Sequence, residues 1–468
     1  MPNAIELMAT VLFAVAVIHT FCVPVFARRA ARGGGHAGLW HLLSEVEVVF
    51  GVWAFVLLVA MAALSGVSSA VAYLDGRNFT EPAFVFAVMV VAASRPILAL
   101  VDMLVRGMAR ALPLRGEVAT FFLTLSLVPL SGSFITEPAA MTLAALLLRD
   151  TCFRHGPHYG FKYLTLGVLF VNVSIGGVLT AYAAPAVLMV AHAFGWDTAY
   201  MAAHFGWRAA LAVFINAGLL TVVCARILPG QPSGQGAAAV AAASSSTASS
   251  ATASAPAAAA AGGVKGLSAG ALAGKGAASD SAAPRRVRPP VPPAVMAVHL
   301  LFLAGVVLGS HHAAVFLSLL MFFIGYTEAY KRHQDPLMIK EGLMVGFFLA
   351  GLVVLGGMQG WWLQDLLAGL DPLVLYWGAA ALTAVTDNAA LTYLGSLVSG
   401  TSETWRYMLV AGAVTGGGLT VIANAPNPAG FALLKRYFPD GAISPGKLLL
   451  AAALPTLIAA GMFLLPVA

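Results

Sequence analysis

Residues 136–142 read Thr-Glu-Pro-Ala-Ala-Met-Thr, and residues 386–392 read Thr-Asp-Asn-Ala-Ala-Leu-Thr. Each copy sets a carboxylate, Glu137 or Asp387, inside an otherwise apolar run. A charge in such a run is costly to take out of water, so it reads by default as part of an ion or substrate site. The duplication implies that the site was built twice, once in each half of the chain.

The sequence around the two copies fixes the class. Of 468 residues, 60% are hydrophobic and only 9% are charged, whereas a soluble domain carries about 25% charged residues. Mean hydropathy is +0.88. Apolar runs of about 20 residues recur, each long enough to cross a bilayer as a helix. The roughly ten-residue alternation of a membrane β-barrel is absent. The expected fold class is therefore an all-α polytopic membrane protein. Its net charge of +6 reports orientation in the bilayer, not nucleic-acid binding. Cys22, Cys152 and Cys224 lack the spacing of a metal site or disulfide framework. The apolar first 26 residues have no basic leader and are read as a first span.

Residues 229–293 are rich in Ala, Ser, Gly and Pro and are expected to form a disordered linker. It divides a first membrane repeat, 1–228, from a second, 294–468. Spans are predicted near 5–27, 41–66 and 82–105, then a broken segment at 117–148, then spans near 162–192 and 207–228. The second half repeats the order, with spans near 294–310, 313–330 and 341–360, a broken segment at 372–399, and spans near 406–434 and 447–467.

Basic residues cluster at Arg28, Arg29 and Arg32, at Arg106, Arg110 and Arg115, at Arg149, Arg154 and Lys162, and at Lys331, Arg332 and Lys340. The alternate loops near 70–80, 193–203 and 363–371 are acidic or nearly neutral. By the positive-inside rule the basic clusters are cytoplasmic. Segment 117–148 would then enter and leave on the cytoplasmic side as a re-entrant hairpin, and 372–399 would do so from outside. Each half would hold about five transmembrane helices and one hairpin, in opposite orientations, which is the inverted-repeat pattern of secondary transporters. Gly176-Gly177 with Pro185, and Gly416-Gly417-Gly418 with Pro426, interrupt the spans that follow the hairpins. Such breaks are tolerated where the backbone lines a protein-buried or wet cavity. A competing similarity, Glu47–Met61 to Glu341–Gly356, pairs spans without inversion.

Thr136, Glu137 and Thr142 are expected to face Asn172, Ser174 and the 176–180 break, including Thr180. Thr386, Asp387, Asn388 and Thr392 are expected to face Thr420, Asn424 and Asn427. Hydroxyl, amide, carboxylate and carbonyl oxygens suit a hard cation such as Na⁺, with Glu137 and Asp387 as its carboxylates. Desolvation favours the neutral form of a carboxyl, so proton and cation would compete for it. Arg95, ahead of Pro96, is a candidate charge partner. Glu45, Glu47 and Glu328 are read as solvated at span ends, and His19 and His192 as structural. Trp361, Trp362, Tyr376 and Trp377 are read as an interfacial belt. There is no H-E-x-x-H, and Gly270–Lys275 is one residue short of a P-loop. Neither enzymatic activity nor a resident cofactor is expected, only transported Na⁺ and H⁺.

Ser-Gly-Ser-Phe-Ile-Thr-Glu-Pro-Ala-Ala (131–140), Val-Thr-Asp-Asn-Ala-Ala-Leu-Thr (385–392) and Ala-Asn-Ala-Pro-Asn-Pro (423–428) resemble the ion-transporter superfamily. That group includes bacterial Na⁺/H⁺ antiporters, arsenite permeases and sodium–dicarboxylate symporters, and the stretches look most like its Na⁺/H⁺ antiporter family. The resemblance implies two inverted repeats, each with a hairpin and an unwound span, and a homodimer with scaffold and moving transport domains in the bacterial inner membrane. The dicarboxylate branch carries uncharged Ser-Asn-Thr hairpin tips, from which Thr136-Glu137-Pro138 and Thr386-Asp387-Asn388 depart. The expected function is secondary active exchange of Na⁺, or another cation, for H⁺. The alternative is Na⁺-coupled symport of an anion or metabolite.

Overall fold

The computed structural model describes residues 2–154, 159–225 and 289–466. Their secondary structure is entirely helical. The expected linker lies outside the described residues except at its end, where a helix begins at Pro293.

Five helices are long and apolar enough to cross a bilayer: Ala4–Ala31, Val46–Ser65, Thr198–Cys224, Ile339–Gly356 and Pro445–Phe463. Counting each of two bent pairs as one span gives seven. This is fewer than the ten continuous spans the hydropathy predicts, because glycines and prolines divide several of them. Helix Tyr159–Gly176 stops at the first Gly pair and resumes at Pro185. Helix Glu403–Gly416 stops at the second and resumes at Asn427.

The span expected over 82–105 is instead two arms, Thr80–Ala92 and Arg95–Ala111, bent by 64°. Pro96 has no N–H for the Ala92 carbonyl and its ring would collide with that carbonyl, so the helical ladder cannot run through. Ser94 turns the corner in an extended conformation (φ −67°, ψ 145°). The second arm mixes Asp102, Arg106 and Arg110 with apolar residues, and Arg106 pairs with Asp102 at 2.7 Å. It is amphipathic, unlike the first arm, which is apolar from Pro82 onward.

Segment 117–148 breaks twice. Helices Gly116–Leu125 and Leu127–Ile135 meet at 42°, and Glu137–Leu148 follows after Thr136. The first break lies one turn before Pro129, which cannot donate to the Leu125 carbonyl. The Asn172 amide takes that carbonyl over at 2.7 Å. Every residue of Glu137–Leu148 is buried, so this helix faces protein on all sides. Segment 372–399 forms helices Pro372–Thr383 and Asn388–Ser396 around a break at 384–387.

Helices from the two halves pack directly. A Cβ on Gly351 would lie only 2.6 Å from the Gly51 Cα, so Val49–Ser65 and Ile339–Gly356 touch backbone to backbone. The similar stretches 47–61 and 341–356 are thus neighbours in space. Gly412 and Gly416, one turn apart, open helix Glu403–Gly416 to the backbone of Tyr376 and Ala380, the close approach that small-xxx-small spacing permits. That seam corrects one expectation. Tyr376 is fully buried, its hydroxyl 2.9 Å from Thr415 Oγ1, and it is not part of an interfacial belt. Trp361 and Trp377 remain exposed.

Candidate functional site

The two interrupted helices meet at and just before their breaks. A Cβ on Gly418 would fall 2.5 Å from the Val171 backbone N, and one on Gly417 would lie 3.0 Å from Asn388 Nδ2 while overlapping Ser174 Oγ. Glycine is required at both places by the neighbour and not by a turn.

Thr136 sets up the first carboxylate. Its φ of 73° with ψ of 150° makes it the one non-glycine residue with positive φ among the described residues. For a β-branched residue this conformation is strained by about 1–3 kcal/mol, a cost usually met where local geometry serves a site. The turn starts the next helix at Glu137, whose side chain is completely buried. Asn424 Nδ2 donates to Glu137 Oε2 at 2.8 Å. Glu137 Oε1 has no hydrogen-bond partner among the described residues. The chain approaches its other side at Gly177, where a Cβ would sit 2.6 Å from Glu137 Cγ. Glu137 therefore rests on the break of its own half and is hydrogen-bonded to the break of the other.

Asp387 is held differently. Its Oδ1 accepts the N–H groups of Ala389 (2.8 Å) and Ala390 (3.2 Å), which caps helix Asn388–Ser396. The Asn388 N–H donates to the Ala423 carbonyl at 3.1 Å and ties this helix start to the second break. Asp387 lies within electrostatic range of Glu137. With Asn424 it lines a cavity of about 40 Å³, which Val46, Glu47, Val345 and Phe348 line as well. A cavity needs about 10–15 Å³ to hold one water-sized particle, and this one exceeds that. Glu47, read from sequence as solvated, is half-buried against this cavity. The one signal for it was its place at the head of the 47–61 similarity.

The remaining predicted residues divide by what their polar atoms hold. Several satisfy carbonyls left free by the breaks. The Ser174 hydroxyl donates to Val414 O and that of Thr180 to Ser133 O, both at 2.7 Å. Thr420 donates to Ala384 O, and Asn427 Nδ2 to the carbonyls of Gly417 and Thr420, all at 2.8 Å. Asn172 binds Leu125 O and Val213 O through its amide nitrogen and accepts from Asn216. Thr386 and Thr392 bond within their own segments, to Leu382 O and Ala389 O. Thr142 is buried on the Glu137 helix. Ser133 was missed: it donates to Gly176 O and accepts from the Leu179 N–H, linking helix Leu127–Ile135 to the break.

Oxygen atoms predominate among what is left. Glu137 Oε1, Thr136 Oγ1, Asn388 Oδ1, Asn424 Oδ1 and Asn427 Oδ1 are buried and have no hydrogen-bond partner among the described residues. Buried oxygens without partners are the kind of donor a hard cation takes. Arg95 is buried at the bend before Pro96 and acts on His333, outside the spans. Burial and the charges of Arg332 and Arg95 depress the basicity of that imidazole. His19 is structural: Trp53 Nε1 donates to its Nδ1 at 3.0 Å, and its Nε2 donates to Leu43 O at 2.9 Å.

A multi-pass helical membrane protein with a fully buried carboxylate where two interrupted spans touch belongs to the membrane transporters. The sequence model of the family described as "Putative Na+/H+ antiporter" matches residues 4–466, and the chain belongs to that family. No curated protein matches it.

Proposed function

We propose that the protein is a secondary antiporter exchanging Na⁺, or another small cation, for H⁺ across the bacterial inner membrane, with Glu137 as the carboxylate both ions share. The observation that carries this reading is the state of Glu137: wholly buried, one oxygen bonded to Asn424 and the other without a partner among the described residues. A bare buried carboxylate is too costly to persist, so it holds either a proton or a cation. The proton has Oε1. The cation has the same oxygen, Oε1. Occupancy by one excludes the other, and that exclusion couples the two fluxes.

The charge pattern along the chain supports a cytoplasmic hairpin at 117–148, an external one at 372–399 and inverted halves around a single midplane site. Alternating access would move the hairpins and broken spans against the Val49–Ser65 and Ile339–Gly356 pair. The superfamily resemblance supports a homodimer as the unit.

The test uses everted membrane vesicles carrying a respiratory ΔpH, to which Na⁺, Li⁺, K⁺ or Ca²⁺ is added. At least one cation is expected to dissipate the gradient with wild type and none with Glu137→Gln. Na⁺-driven uptake of a labelled anion without cation-dependent proton movement would overturn the reading in favour of symport.

A further inference from the structure

We propose that Glu47 is the carboxylate that receives the cation from the cytoplasm, and that the chamber it lines with Asp387 and Asn424 is a second cation-binding station ahead of Glu137. This rests on the exchange reading above and adds a route and a residue to it.

Three observations converge. The first is placement. Glu47 stands at the head of span Val46–Ser65 and lines the chamber with Val46, Val345, Phe348, Asp387 and Asn424. Its wall is the helix pair locked together at Gly51 and Gly351, so Glu47 belongs to the rigid side of the site. The second is Asn424. It is 1% exposed, its Nδ2 is bonded to Glu137, and its Oδ1 lacks a partner among the described residues. One side chain thus separates the chamber from the Glu137 carboxylate and offers an oxygen to a cation arriving from it. The third is size. About 40 Å³ admits a small cation and is far below the roughly 300 Å³ at which pockets for organic ligands begin.

Charge agrees with this geometry. The ionisable groups acting on Glu47 are Glu45 and Lys340, and Asp387 lines the same chamber within its electrostatic range. Glu45, Glu47 and Asp387 outnumber Lys340 among these groups, so their field favours a cation in the chamber. In the chain, Arg28–Arg32 precede one wall helix and Lys340 lies in the first turn of the other, so by the positive-inside rule this is the cytoplasmic end.

Sidedness provides the test. Everted vesicles present the cytoplasmic face to added Na⁺, and right-side-out vesicles present the opposite face. Glu47→Gln should raise the apparent KM for Na⁺ in everted vesicles by about tenfold, a loss of the order one charge contact supplies. It should leave the maximal rate, and KM in right-side-out vesicles, nearly unchanged, and Glu47→Asp should restore most of the affinity. A structural role would lower activity on both sides without rescue by Asp. Val345→Phe, which fills the chamber and keeps the carboxylate, should show the same one-sided defect and stands in if Glu47→Gln fails to accumulate. Active wild type with unaltered Na⁺ dependence in these variants overturns the inference alone. Wild type that moves no proton with any cation overturns the exchange reading as well.

Discussion

Glu137 and Asp387 occupy matching places in a repeated motif, yet they are not equivalent. Asp387 uses one oxygen to cap its own helix, whereas Glu137 caps nothing and is shared between two breaks. The difference follows from the next residue: Pro138 leaves no N–H at the second helical position and Thr136 enters with positive φ, so Glu137 is carried past the cap position and into the interior. Gly177 is the residue that leaves room for it. Gly177→Ala would place a methyl group against the carboxylate; a displacement of about 1 Å at a reacting group can cost on the order of a hundredfold in rate. We expect cation-dependent ΔpH dissipation to fall by about that factor in this variant while it still purifies as folded protein. Full activity would mean that the Glu137–Gly177 contact is irrelevant to transport. The two carboxylates were legible because a charge in an apolar run stands out. The Asn424 partner was legible as a polar residue at a break, but its bond to the other half was not, since no local pattern encodes which distant break a side chain reaches.

At the scale of elements, the interruptions were legible wherever glycines and prolines gather, and both broken spans stop at the glycine pairs. Pro96 was the exception. A hydropathy window averages over one proline, so a bent pair read as a single span, and only the missing donor to Ala92 reveals the corner. The Glu47–Met61 and Glu341–Gly356 similarity was visible too, but sequence alone could not tell a repeat from two helices that pack together. Asp387 belongs to this scale because it starts a helix. Asp387→Ala removes the cap and should lower thermal stability by about 1 kcal/mol, whereas Asp387→Asn keeps a good cap. If Asp387 also binds the transported ion, both variants lose cation-dependent proton movement. Transport retained in Asp387→Asn alone would reduce Asp387 to a cap.

For the whole molecule, the class was plain from composition, and the described residues bear it out as an all-helical multi-pass membrane protein. The halves are joined in chain by 229–293 but in space by contacts near the site: Glu137 to Asn424, Gly418 to Val171, and Gly51 to Gly351. A tether suffices between halves already joined there, so deletion of residues 235–290 should leave the Na⁺ dependence of ΔpH dissipation unchanged. Loss of transport in a folded deletion variant would give the linker a further role. The central claim is that one buried carboxylate holds either a proton or a cation. Its most direct test is proton release by purified protein in weakly buffered solution near neutral pH when the transported cation is added. The account predicts that wild type acidifies the solution and that Glu137→Gln does not. Cation binding by wild type without proton release, or equal release by Glu137→Gln, would contradict it.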